Sequence, residues 1–244
     1  MNKCSLLNIG TLLLLWSIAL ISQPGYAGLS IDTKGYVSGR LSAVNLERSF
    51  NTAYLGELLL GHDSTIFISS ENQPPYPFSN PWQFCFDEDR YEEIETFIGR
   101  NVVLEYKTPK SNVLLSCSAI NELLAIYPVV ENRALEQKQL KVSILSSAPE
   151  VSRGVEFGKI TNVIENRGLI RSYFMTIQIG SGGNQFRHFV MNDSDLFDFA
   201  IDCLKTATMV RVYYSERYSI NNRFGLNPIS YVSKIEVVDQ NQFD

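Results

Sequence analysis

The feature of this chain that most restricts its fold is a ten-residue pattern written twice. Gly35-Tyr36-Val37-Ser38-Gly39-Arg40-Leu41-Ser42-Ala43-Val44 and Gly154-Val155-Glu156-Phe157-Gly158-Lys159-Ile160-Thr161-Asn162-Val163 both read G-x-x-x-G-[RK]-[LI]-[ST]-x-V. Further along, Val102-Val103-Leu104-Glu105-Tyr106 and Val210-Arg211-Val212-Tyr213-Tyr214 both read V-x-[LV]-x-Y. Just before each of these lies an acid-started amphipathic segment, Asp87-Glu88-Asp89 leading to Ile94 and Phe97, and Asp193-Ser194-Asp195 leading to Phe197, Ile201 and Leu204. A repeat near half the chain length points to two copies of one module, with Gly39 expected over Gly158 and Tyr106 over Tyr214. Any two β-rich halves share some alternation, so the weight rests on the repeated order of the elements.

Alternation of apolar and polar residues, punctuated by turn residues, gives the elements of the second copy. Strands are expected at 155–163, 173–179 and 185–191, with Gly180-Ser181-Gly182-Gly183 as a hairpin turn. That glycine run precedes a strand rather than a helix, which argues against a phosphate cradle. Asp193 or Ser194 caps a helix running to about Lys205, and strands follow at 209–218 and 229–238. The first copy is expected to match, with strands at 36–43, 54–60, 82–86, 101–106 and 114–120.

Three strands, a helix and two strands is an order that resembles the OB-fold, a five-stranded barrel with its helix between the third and fourth strands. The resemblance is topological. It implies a mainly β protein, two tandem small OB-like β-barrels at 28–130 and 154–244. The polar segment 131–153 connects them, with a short strand or helix near Leu140 to Leu145.

Met1-Asn2-Lys3 leads into the apolar run Leu12 to Ile21, which closes on Gln23-Pro24-Gly25-Tyr26-Ala27. This reads as a signal peptide, residues 1–27, cleaved after Ala27; the competing reading is an uncleaved anchor. The protein is therefore expected to be exported, periplasmic or extracellular. Net charge is −5, with both signs scattered, so nothing builds the positive field that nucleic acid needs. Cys85, Cys117 and Cys203 survive cleavage. Cys85 and Cys117 share one half and are the expected disulfide, worth about 3 to 4 kcal/mol on a chain-entropy account, with Cys203 left as a buried thiol on the helix.

No nucleophile elbow, zinc signature or dinucleotide fingerprint is present, and no metal or cofactor is expected. The acidic clusters read better as helix caps than as cation sites. The modules differ at Gln73-Pro74-Pro75-Tyr76-Pro77-Phe78-Ser79-Asn80-Pro81-Trp82, a stiff Pro-rich loop of the first copy. Tyr76, Phe78 and Trp82 either dock on a partner or fold back over their own barrel. The leading expectation for function is a non-enzymatic protein acting by protein–protein contact, such as an accessory part of a secretion or surface assembly. A second is a glycan-binding module using surface aromatics such as Tyr213, Tyr218, Phe224 and Tyr231. A third is a hydrolase using carboxylates such as Glu93 or Glu216. Peptide mapping of the exported protein without reduction is expected to give Gly28 as the N-terminus and a linked Cys85–Cys117 pair; a retained leader or two unlinked peptides would refute these assignments.

Overall fold

The computed structural model describes residues 32–48, 52–61, 67–68, 76–77, 81–108, 118–130, 133–167, 171–179, 185–218 and 228–238. The expected signal segment, Phe78, Cys117, the 180–183 turn and Phe224 lie outside them. The protein is mainly β. Its first half holds β1 (Asp32–Arg48), β2 (Thr52–Leu60), the two-residue strands β3 (Phe67–Ile68) and β4 (Tyr76–Pro77), β5 (Pro81–Phe86), β6 (Asn101–Thr108) and β7 (Glu122–Pro128). A 3-10 turn at Glu88–Arg90 and a helix at Tyr91–Glu95 precede β6. The short strand β8 (Gln139–Lys141) leads to β9 (Glu150–Arg167), β10 (Arg171–Ile179) and β11 (Phe186–Met191). The helix Ser194–Lys205, β12 (Met209–Arg217) and β13 (Ile229–Val237) complete the second half.

The two halves repeat one pairing scheme. β1 pairs with β2, β2 with β5, β5 with β7 at Cys85 and Glu122, β7 with β6, and β6 returns to β1. β9, β10, β11, β13 and β12 make the same circuit, joined between β11 and β13 at Val190 and Tyr231. Registers agree residue for residue: Gly35 faces Tyr106 and Gly39 faces Val102, while Gly154 faces Tyr214 and Gly158 faces Val210.

The repeated motif has a physical content in each half. A Cβ on Gly35 or Gly154 would run into the ring of Tyr106 or Tyr214, and one on Gly39 or Gly158 into the backbone carbonyl of Leu59 or Gln178. The [ST] position is the extra residue of a β-bulge, Ser42 against β2 and Thr161 against β10. Its hydroxyl donates to the carbonyl across the ladder in both halves, Ser42 Oγ to Glu57 O at 3.0 Å and Thr161 Oγ1 to Thr176 O at 3.3 Å.

The inward residues form two cores. Leu41, Leu58, Phe84, Ile94 and Leu104 centre the first, and Ile160, Met175, Ile177, Phe189, Leu196 and Leu204 the second. Asp193 caps the long helix, its Oδ1 accepting from Asp195 N and Leu196 N at 2.9 and 3.0 Å. Cys203 is buried and free, and burial pushes its thiol up to about 12. The Sγ of Cys85 lies 3.2 Å from the carbonyl oxygen of Ala119, two positions from Cys117.

The structure corrects two expectations. Of the strand expected at 114–120, residues 114–117 lie outside the described residues and Ser118–Ile120 form no strand, while Glu122–Pro128 takes the fifth place. Leu123 and Ile126 are the residues turned into the core, in the register that Val232 and Ile235 hold in β13. β9 also begins at Glu150, inside the segment read as a connection, because Glu150 to Arg153 extend the ladder along β12.

β1 joins the halves. Its residues 33–37 pair with β6 on one side and residues 32–37 with residues 162–167 of β9 on the other, so the strands form one continuous sheet. The outer sides of β7 and β13 are protected differently. β8 lies along Lys234–Glu236, and Val237 N donates to Lys138 O at 2.7 Å. Pro128 stands at the position of Val237, and Arg90 Nη1 donates to Leu124 O at 3.1 Å.

Because the obstruction at Gly39 and Gly158 is backbone, which cannot rotate away, Gly39→Ala and Gly158→Ala are each expected to destabilise by about 3 kcal/mol, the upper range for overpacking. Denaturant melts check this; a loss below about 1 kcal/mol at either site would refute the tight crossing.

Candidate functional site

The outer face of β1, β6 and β7 carries alternate residues Lys34, Tyr36, Glu105 and Tyr127. Lys34 Nζ is 2.5 Å from Glu105, and the Tyr127 hydroxyl donates to Glu105 Oε2 at 3.1 Å. Burial pushes the Glu105 carboxyl up, but the bonds from Lys34 and Tyr127 outweigh it and hold the group below the usual carboxylate range. Lys34 is raised in turn by its bond to Glu105, and Tyr36 is raised by burial and then by Glu105. The second half covers this face. Lys205, at the end of its helix, lies 5.3 Å from the Tyr36 ring centre and 5.0 Å from that of Tyr127. Val103 is counted in the second core, and Tyr36 and Val129 pack against it. The Tyr106 hydroxyl, pushed up to about 12 by burial, is hydrogen-bonded to Asn162 of β9.

By register, Arg153, Val155, Tyr213 and Glu236 occupy the matching positions on β9, β12 and β13. No described residue of the first half covers them as Lys205 covers Tyr36. The Tyr213 hydroxyl donates to Glu236 Oε2 at 3.1 Å, Arg211 Nη1 lies 3.3 Å from Glu236 Oε1, and Lys234 also pairs with Glu236. The Lys234 bond, aided by Tyr213, holds the Glu236 carboxyl low. Lys234 Nζ stands 4.6 Å above the Tyr213 ring. Two open grooves meet at this tyrosine. One, of about 390 Å3, is lined by Gln139, Lys141, Ser233 and Lys234; the other, of about 450 Å3, by Ile144, Glu150, Arg153 and Val155. Val155 is 52% exposed and Leu145 79%.

A third polar cluster lies at one end of the second core. Arg187 pairs with Glu156 and, at 2.9 Å, with Glu216, while Ser152 also bonds Glu216. The guanidinium is 4.3 Å from the Tyr214 ring centre. The register puts Trp82 at the same place in the first half, 4.7 Å from the ring of Tyr106.

Trp82, expected at a binding loop, is thus half-buried and packed on the first core. Tyr213 lines the grooves, and Tyr218, just beyond β12, is 42% exposed. Tyr76 pairs with Ile68 in a two-residue ladder. Glu93 and Glu216 fall in different halves, each held by an arginine, Arg90 at 3.1 Å and Arg187 at 2.9 Å. Sequence reading missed Lys234, Glu236 and Arg211. The alternation of β12 and β13 contained the signal, since Arg211, Tyr213 and Ser215 must share one face. No protein-family model matches the chain, and comparison with curated proteins finds no match.

The folded Glu105 carboxyl titrates below its unfolded value of about 4.3. Its contribution is therefore complete above that value and is lost as pH falls through the lower folded value. Melting temperature is expected to drop across this acid window, and Glu105→Gln to flatten that part of the profile; an unchanged slope in the variant would show that the Lys34 pair contributes nothing.

Proposed function

We propose that the chain is an exported, non-enzymatic protein that acts through protein–protein contact in the cell envelope or outside it, as an accessory component of a secretion or surface assembly. Each half is read as a small OB-like barrel, supported by the two circuits of five strands and by the long helix placed between the third and fourth strands of the second. The observation that carries the functional reading is the contrast between equivalent faces. The Tyr36–Glu105–Tyr127 face serves as an interface within the chain, and the Val155–Tyr213–Glu236 face is open with two grooves. An aromatic ring flanked by apolar and charged groups is the composition that concentrates binding energy at protein interfaces.

The polar lining of the smaller groove, with Gln139, Ser233 and Lys234 around Tyr213, favours a glycan as the second reading. The Pro-rich loop carrying Tyr76 and Phe78 remains a separate candidate contact.

The test compares Tyr213→Ala with the double change Tyr76→Ala, Phe78→Ala in recovery of envelope partners and in glycan binding, each beside a melting curve. Tyr213→Ala is expected to cost about 2 kcal/mol of binding, roughly a 30-fold loss, with little change in melting. Undiminished recovery by a normally folded Tyr213→Ala protein would remove this face as the contact site, and loss of glycan binding alone would favour the second reading.

A further inference from the structure

The junction between the halves is built from two strand edges, and each has an equivalent in the other half that no described strand pairs. Within the chain, residues 32–37 of β1 pair with residues 162–167 of β9, with Tyr36 opposite Val163 and Lys34 opposite Glu165. The register equivalence of the halves places residues 151–156 of β9 where 32–37 stand, and residues 43–48 of β1 where 162–167 stand. Residues 150–156 pair only with β12, and 43–48 only with β2, among the described residues. Both segments carry exposed apolar side chains, Val151 at 45% and Val155 at 52% on β9, and Leu46 at 43% on β1. A strand edge with one side paired and apolar residues exposed is a template for another strand.

The two edges do not pair with each other within the molecule, among the described residues. We propose that further copies of this chain add head to tail, residues 151–156 of one copy pairing antiparallel with residues 43–48 of the next. This names a partner for the contact function proposed above and rests on that reading. The register carried over from the internal junction sets Val155 opposite Val44 and Arg153 opposite Leu46.

The surfaces beside the edges agree with this placement. Gly99 and Ala207 share a left-handed backbone at φ +82° and +49°, and each lies two residues before the start of a fourth strand. Counting back from them makes Phe97 the counterpart of Lys205. Inside the chain Lys205 covers Tyr36. Between copies, Phe97 and its neighbour Ile98, 44% exposed, come to Val155, so apolar groups meet where the internal junction uses a cation over a ring. Such an interface is heterologous and does not close on two copies, so the assembly grows as a chain or a ring.

Sedimentation velocity of the full exported protein over a concentration series tests this, with Val155→Arg and Leu46→Arg as single variants. The wild type is expected to gain mass beyond a dimer as concentration rises, and each variant alone to remain a monomer. An equimolar mixture of the two variants retains one intact edge of each kind and is expected to stop at a one-to-one dimer. Folding is checked independently by mixing Arg153→Cys with Leu46→Cys, which face one another in the proposed register and should form a covalent heterodimer under mild oxidation. A wild type that stays monomeric, variants that still assemble, or a mixture that gives neither dimer would overturn head-to-tail addition. Loss of partner recovery by Tyr213→Ala with a monomeric wild type would leave the contact reading standing without it.

Discussion

Everything in this fold depends on how closely the first strand of each half can be approached. At Gly39 and Gly158 a hydrogen faces a backbone carbonyl of the neighbouring strand, and at Gly35 and Gly154 it lies under a tyrosine ring. A side chain at any of the four would hold the strands apart. With none, β1 and β9 bend at the Ser42 and Thr161 bulges and serve ladders on both sides. The tyrosines then do two things at once: they fill the space the glycines leave, and they floor the end of the core where Trp82 or Arg187 sits.

That shared end shows how two halves with one pairing scheme can differ in chemistry. In the first half the position holds an indole packed edge-on to Tyr106, which needs no solvent. In the second it holds a guanidinium over Tyr214, and a half-buried cation is favoured by counter-charges. Glu156 and Glu216 supply them, at positions whose first-half counterparts on β1 and β6 are Val37 and Thr108. The second half therefore holds three charges where the first holds an indole. The outer faces differ likewise, the first built around a lysine–glutamate–tyrosine cluster closed under Lys205, the second around Tyr213 and Glu236.

How much of this could be read from the sequence follows from the range of each interaction. The second half was legible nearly strand by strand, because its ladders alternate and Asp193 is a strong cap. The internal repeat was legible because glycine and tyrosine are conspicuous where sterics demand them. The fifth strand of the first half was not: Glu122-Leu-Leu-Ala-Ile-Tyr-Pro contains residues that favour helix and ends in proline. Pairing with β6 decided the matter, and no local pattern encodes it. The candidate site was half visible. Tyr213 was singled out as a surface aromatic, but its partners Lys234 and Glu236 lie on another strand and could be joined to it only by the register of β12 and β13.

The junction between β1 and β9 also bears on the order in which the chain becomes structured. Asp32 is paired with Arg167, a contact that closes only after more than a hundred intervening residues have been made. Until β9 arrives, a newly made first half displays an unsatisfied strand edge at 32–37, with Val103 and Tyr36 uncovered beside it. Local contacts can assemble that half early, yet its last surface is finished by the second. Contacts of such long separation form slowly, so the interval between the two events is the period in which the chain is most exposed to wrong pairing.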